Sequence, residues 1–156
     1  MKSLKLKKGI SIIEILVVIA ILGIALTSLL GLANFSLGAA SLIKQTTKAN
    51  AISQEAMEAV RNIRDSDWAK ITNGNHGLTN AAGFWDFAGT ENVINGFIRT
   101  ILIDNVSRDP ITDNIEITYN PANDDPNTKK ATATVSWQER GRTHQVVLVT
   151  YFTNWK

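Results

Sequence analysis

Glu14 is the single ionisable side chain in a run of 23 residues, Ile10 to Leu32, that reads ISIIEILVVIAILGIALTSLLGL. A carboxylate placed in hydrocarbon costs about 2.5–3.5 kcal/mol even on the gentler insertion scales, so an acid in such a run is first a functional group. The chemistry open to it is neutralisation of a cation that water cannot reach. The competing reading is an incidental charge near the end of an anchor, where snorkelling softens the cost. Other chemistry-bearing residues are dispersed. His76 and His144 stand alone, with no nucleophile-elbow pattern, no HExxH and no glycine-rich phosphate loop around them. The absence of cysteine excludes disulfides, thiolate metal sites and a cysteine nucleophile. None of these motifs being present, the chain reads as a non-enzyme with no cofactor.

The element that must position Glu14 is a helix long enough to cross a bilayer, for which about 20 apolar residues suffice. Ser11, Thr27 and Ser28 are compatible with it because hydroxyls can bond back to helix carbonyls. Ahead of it, four of the chain's sixteen basic residues (Lys2, Lys5, Lys7, Lys8) fall within the first nine positions, with no acid among them. That bias places the N-terminus in the cytoplasm and the rest of the chain outside, a single pass through the cytoplasmic membrane. Without the leader, 12 basic residues face 14 acidic ones, so the pI near 9.0 belongs to the leader and no specific nucleic-acid partner is expected. An ordinary secretory signal has a shorter apolar region, about 7–15 residues.

Lys7-Lys8-Gly9, then Ile10-Ser11-Ile12-Ile13-Glu14 and an unbroken apolar helix, resembles the N-terminal signature of type IV pilins and pseudopilins. The resemblance covers roughly the first thirty residues and implies cleavage after Gly9 by a prepilin peptidase, then methylation of the new N-terminal amine on Ile10. Glycine suits the scissile position because, lacking Cβ, it can be extended and closely approached. The resemblance further implies that Glu14 neutralises the N-terminal ammonium of a neighbouring subunit during assembly. The family usually has Phe or Met where Ile10 stands, and Thr where Ser11 stands. Many of its major subunits carry proline at the position of Gly31. Gly23 and Gly31 weaken a helix by only ~1 kcal/mol each, against ~3 for proline, which leans toward a minor pilin or pseudopilin. The C-terminal hairpin also lacks the cysteine pair found in many Gram-negative major pilins, which points to a minor pilin, a pseudopilin or a different bacterial lineage.

Beyond Leu32 the pattern turns amphipathic. Ala49, Ile52, Ala56, Ala59, Val60 and Ile63 recur at three- and four-residue steps, and Asp65-Ser66-Asp67 closes the helix. From Ile10 to Arg64 such a helix would run ~80 Å. Turn-rich sequence follows Trp68, then strand patterns at 97–104 (FIRTILID), 115–119 (IEITY), 131–139 (ATATVSWQE) and 142–153 (RTHQVVLVTYFT), the last two joined as a hairpin across Arg140-Gly141. The expected fold is α+β: a long N-terminal helix whose second half packs on a C-terminal antiparallel sheet of three to four strands. The organisation is a basic leader (1–9), a transmembrane or filament-core helix (10–32), its amphipathic continuation (33–64) and a globular head (65–156).

The oxygen-rich run Asn120–Asn127 contains Asp124 and Asp125 as weak metal candidates, since some heads of the resembled family bind calcium in such loops. Its spacing is not an EF-hand, and a solvated turn accounts for the same residues. Trp137 sits on an alternating strand and reads as core, Trp155 as partly exposed. Together these features describe a structural subunit of a type IV pilus, a type II secretion pseudopilus or a DNA-uptake pseudopilus. Its expected partners are other such subunits through the N-terminal helix, the prepilin peptidase and an assembly platform in the inner membrane. The alternative is a signal-anchored extracytoplasmic binding domain without a filament role.

Overall fold

The computed structural model describes residues 11–81 and 83–155. One helix, α1, spans Ile12–Ser66 and passes through Gly23 and Gly31 without interruption. It stops at the expected Asp65-Ser66-Asp67. The Ser66 hydroxyl bonds the Ile63 carbonyl (2.7 Å), and the Asp67 carboxylate accepts the Ala69 N–H (3.0 Å) to open a single 3-10 turn, Trp68–Lys70. By internal contacts the chain forms two units, one ending at Ile43 and one running from Lys44 to the C-terminus. In the first, the apolar side chains from Ile12 to Leu32 are between 49% and 79% exposed and bury nothing within the chain.

In the second unit, strands β1 (Gly74–His76), β4 (Asn92–Ile94), β5 (Phe97–Ser107), β6 (Asp124–Glu139) and β7 (Arg142–Thr153) form one antiparallel sheet. β1 and β4 both pair with the same side of β5, β6 with its other side, and β7 lies at the edge. β2 (Leu78–Ala81) and β3 (Phe84–Phe87) make a separate hairpin. The main sheet therefore has five strands rather than three or four. The two extra are three residues long, too short to show periodicity of their own.

The strand expected at 115–119 does not form. Ile115 makes one bridge to Arg108, and the Glu116 N–H donates to the Ser107 carbonyl (2.9 Å), while Ile117 is fully exposed. β6 begins seven residues earlier than its alternating pattern and places Asp125 and Asp124 opposite Val106 and Ser107. A register shift at Asn105/Val106 accommodates Pro126, whose missing N–H suits an irregular position. The β6–β7 hairpin forms as expected, with twelve cross-strand pairs. Arg140 and Gly141 both have positive φ (50° and 74°), the geometry a tight two-residue hairpin turn requires.

The predicted helix face is the buried one. Ala49, Ala56, Ala59, Val60 and Ile63 have no exposed surface, and Ser53 and Met57 join them. Opposite lie Ile101 and Ile103 of β5, Ala131 and Ala133 of β6, and Phe152 of β7. A second cluster joins Ala49, Phe97, Val135 and Trp137. Burial of each larger aliphatic side chain contributes about 1.5–3 kcal/mol. The alanines on both sides leave room for the backbones to approach.

One charged group sits inside this packing. Arg99 is only 2% exposed, donating from Nη1 to Glu55 Oε1 of α1 (2.8 Å) and from Nε to Asn92 Oδ1 (3.2 Å), with its guanidinium over the Trp85 ring. Removing Glu55 strands a buried cation, whereas removing both charges does not. Because Glu55 is half exposed, Glu55→Ala should cost about 1–3 kcal/mol in urea unfolding. Adding Arg99→Met to that variant should recover part of the loss. An additive double variant would show that the pair carries no coupling.

Candidate functional site

Helix geometry sets the environment of Glu14. The Ser11 carbonyl accepts the N–H groups of Glu14 (3.0 Å) and Ile15 (3.3 Å), so Ser11 caps the helix and Glu14 is the third residue of its first turn. The unpaired N–H groups of that turn carry partial positive charge and favour a carboxylate there. This offsets part of the cost of placing an acid in apolar surroundings. The Glu14 side chain is exposed, and among the described residues it has no hydrogen-bond or ion-pair partner. A cation from outside the chain can therefore engage both oxygens. Ser11 was not singled out from sequence, although its spacing to Glu14, Ser-x-x-Glu before an apolar run, is a helix-start pattern. Gly9 and Ile10, the expected cleavage and methylation residues, lie outside the described residues.

The rest of the segment satisfies its own polar groups. Thr27 Oγ1 donates to the carbonyls of Gly23 (3.0 Å) and Ile24 (2.9 Å), and Ser28 Oγ to Ile24 (2.8 Å). Helix hydrogen bonds and these hydroxyl contacts leave a surface compatible with lipid or with the apolar flank of another helix.

The loop between β5 and β6 engages the two metal candidates internally. Arg108 Nε donates to Asp125 Oδ2 (2.6 Å), while its other nitrogens reach the Asp113 carbonyl (2.9 Å) and Thr128 Oγ1 (3.3 Å). Asp124 Oδ1 accepts the Tyr119 hydroxyl (2.9 Å). Asp109 closes a turn by accepting the N–H groups of Ile111 and Thr112 (2.8 Å each). Among the described residues no three acids or histidines gather to hold a metal ion. A guanidinium organises this loop. Sequence reasoning missed Arg108, for which spacing gave no signal.

The remaining candidates are packed into the head. His76 stacks on Phe87 (4.3 Å) with Nε2 at 2.7 Å from the Thr72 carbonyl, and His144 stacks on Trp137 (5.5 Å). Trp137 is buried, as its alternation implied, and Trp155 is 64% exposed. Among the described residues neither histidine bonds a carboxylate or a hydroxyl, as acid–base chemistry would need.

Comparison with known families finds one match, the prokaryotic N-terminal methylation motif, over residues 4–30. No curated protein and no solved structure matches the chain.

The Arg108–Asp125 pair makes the loop acid-sensitive. Burial pushes the Asp125 carboxyl up, but hydrogen bonds from Thr128, Arg108 and the Asn127 N–H, with the Arg108 charge, outweigh it and hold it below the usual carboxylate value. A carboxyl lowered in the folded state stabilises above its unfolded value near 4 and loses that contribution as pH falls through the folded value. Asp125→Asn should therefore lower thermal stability at neutral pH, and its deficit should shrink as the pH is taken below about 4. Circular-dichroism melts across that range read the difference; a gap that stays constant with pH would assign Asp125 a purely steric role.

Proposed function

We propose that this chain, whose residues 4–30 carry the prepilin-type signal of type IV pilins and pseudopilins, is a membrane-stored structural subunit of a type IV pilus or of a secretion or DNA-uptake pseudopilus. The observation that carries the reading is the continuity of that signal with α1, whose residues from Ile12 to Leu32 bury no apolar surface in the chain and present one unpartnered carboxylate. A helix of this kind is stable only against lipid or against other helices. In the cytoplasmic membrane the basic leader faces the cytoplasm and the head lies outside. A prepilin peptidase removes residues 1–9 after Gly9 and methylates the amine of Ile10. The assembly platform then draws the subunit out of the bilayer, and the helix exchanges lipid for neighbouring subunits.

Glu14 supplies the register of that exchange. Cleavage leaves an ammonium on Ile10 in apolar surroundings, where an unpaired charge is costly. The Glu14 carboxylate of an incoming subunit can meet the ammonium of one already in place, since nothing among its own described residues competes for it. Gly31 in place of a proline favours a minor pilin or a pseudopilin over a main shaft subunit. The work is mechanical rather than catalytic. The rival, an anchored binding domain, uses the same helix only as a tether and needs neither the cleavage nor the acid.

Two measurements separate these readings. Intact-mass analysis of membrane-purified protein should show loss of Met1–Gly9 and the gain of one methyl group; full-length protein alone, in cells with an active prepilin peptidase, would overturn the assignment. Glu14→Leu removes an insertion penalty of at most about 2.5–3.5 kcal/mol, so insertion and head folding should be unchanged or slightly improved. Its entry into sheared filaments, or its crosslinking to other such subunits, should fall sharply, because an unpaired buried ammonium costs about 3–5 kcal/mol. Glu14→Asp should lie between. Equal incorporation of the Leu variant would return the tether to first place.

A further inference from the structure

The face of the sheet turned away from α1 holds a cavity of about 400 Å³ at the end where β5 leaves the sheet, walled in part by the 115–119 segment. That volume lies within the range of small-ligand sites. Its floor includes one row across three strands: Asp104 of β5 stands opposite Lys130 of β6, which stands opposite Tyr151 of β7. Among the described residues these three side chains make no hydrogen bond and no ion pair, although neighbouring strands place them about 5 Å apart. In the wall, Glu116 Oε1 accepts from Asn123 Nδ2 (3.0 Å), and its Oε2 has no partner. Tyr119 is held by Asp124 and Asn105 through its hydroxyl, which fixes the ring, and Tyr119 and Tyr151 are 43% and 46% exposed.

We infer that this cavity binds a neutral saccharide unit. Vicinal hydroxyls are both donors and acceptors, so adjacent hydroxyls on one ring can donate to Asp104 and accept from Lys130. The unpaired Glu116 oxygen supplies a further acceptor. The C–H face of a sugar ring carries partial positive charge and suits the negative face of a tyrosine ring. Two carboxylates against one ammonium disfavour anionic ligands such as phosphates and nucleotides. Leu102, Ile115 and Ile117 add apolar wall beside these polar groups, a mixture that suits a ring with hydroxylated edges and C–H faces. The site belongs to the head alone and is independent of the filament reading.

The test uses the full chain in dodecylphosphocholine micelles, which carry no sugar headgroup. Saturation-transfer difference NMR is recorded with the methyl glycosides of glucose, galactose and N-acetylglucosamine, and separately with the dipeptide glycyl-lysine. At least one glycoside should receive saturation at its ring protons, and its titration should shift the backbone amides of Asp104, Lys130 and Tyr151. Asp104→Asn and Tyr151→Ala, checked for folding by circular dichroism, should each weaken binding roughly tenfold. If either variant fails to fold, the amide shifts of the wild type decide the site. Transfer to none of the three glycosides, amide shifts elsewhere, undiminished binding in folded variants, or transfer to glycyl-lysine alone would each overturn the assignment. None of these outcomes bears on cleavage, methylation or Glu14.

Discussion

The head depends on one contact surface, the face of α1 from Ala49 to Ile63 laid on the inner side of β5, β6 and β7. Neither side is stable without the other. A helix with this many alanines gains little from its own side chains, and a sheet with one apolar face must cover it. The alanines on β6 and on α1 are what allow the approach. Larger residues on both sides would hold the backbones apart and leave less of Ile101 and Ile103 covered.

The two units use their polar groups differently. In the N-terminal segment the Thr27 and Ser28 hydroxyls are turned back on the helix, and Glu14 is left without a partner among the described residues. In the head two arginines are internally committed. Arg99 ties the helix to the sheet and to β4 through Glu55 and Asn92. Arg108 gathers the Asp113 carbonyl of the loop with the Asp125 carboxylate and the Thr128 hydroxyl of β6. A guanidinium with several donors in one plane serves such convergence well, and it satisfies Asp125 without any ion. The carboxylate left open at Glu14 takes its weight in the functional reading from its place in an apolar run.

The sequence by itself determined the features that are written in one dimension. A run of apolar residues longer than a bilayer needs, one acid within it, a basic leader and a three-to-four-residue apolar period are local properties, and the last of these marked the buried face of α1. The β6–β7 hairpin also formed where expected, and its two-residue turn links clean alternation on both sides. Ser11 was legible too, by its spacing to Glu14, but was passed over. Only tertiary structure decided the rest. The 115–119 segment alternates well enough for a strand, yet it makes one bridge, Ile115 to Arg108, and no ladder follows. β1 and β4 exist because β5 offers them an edge, three residues being too few to signal a strand alone. Arg108 meets Asp125, and Asp104 meets Lys130 and Tyr151, only once strand register is set. Register is a balance among distant pairings that no local window of residues contains.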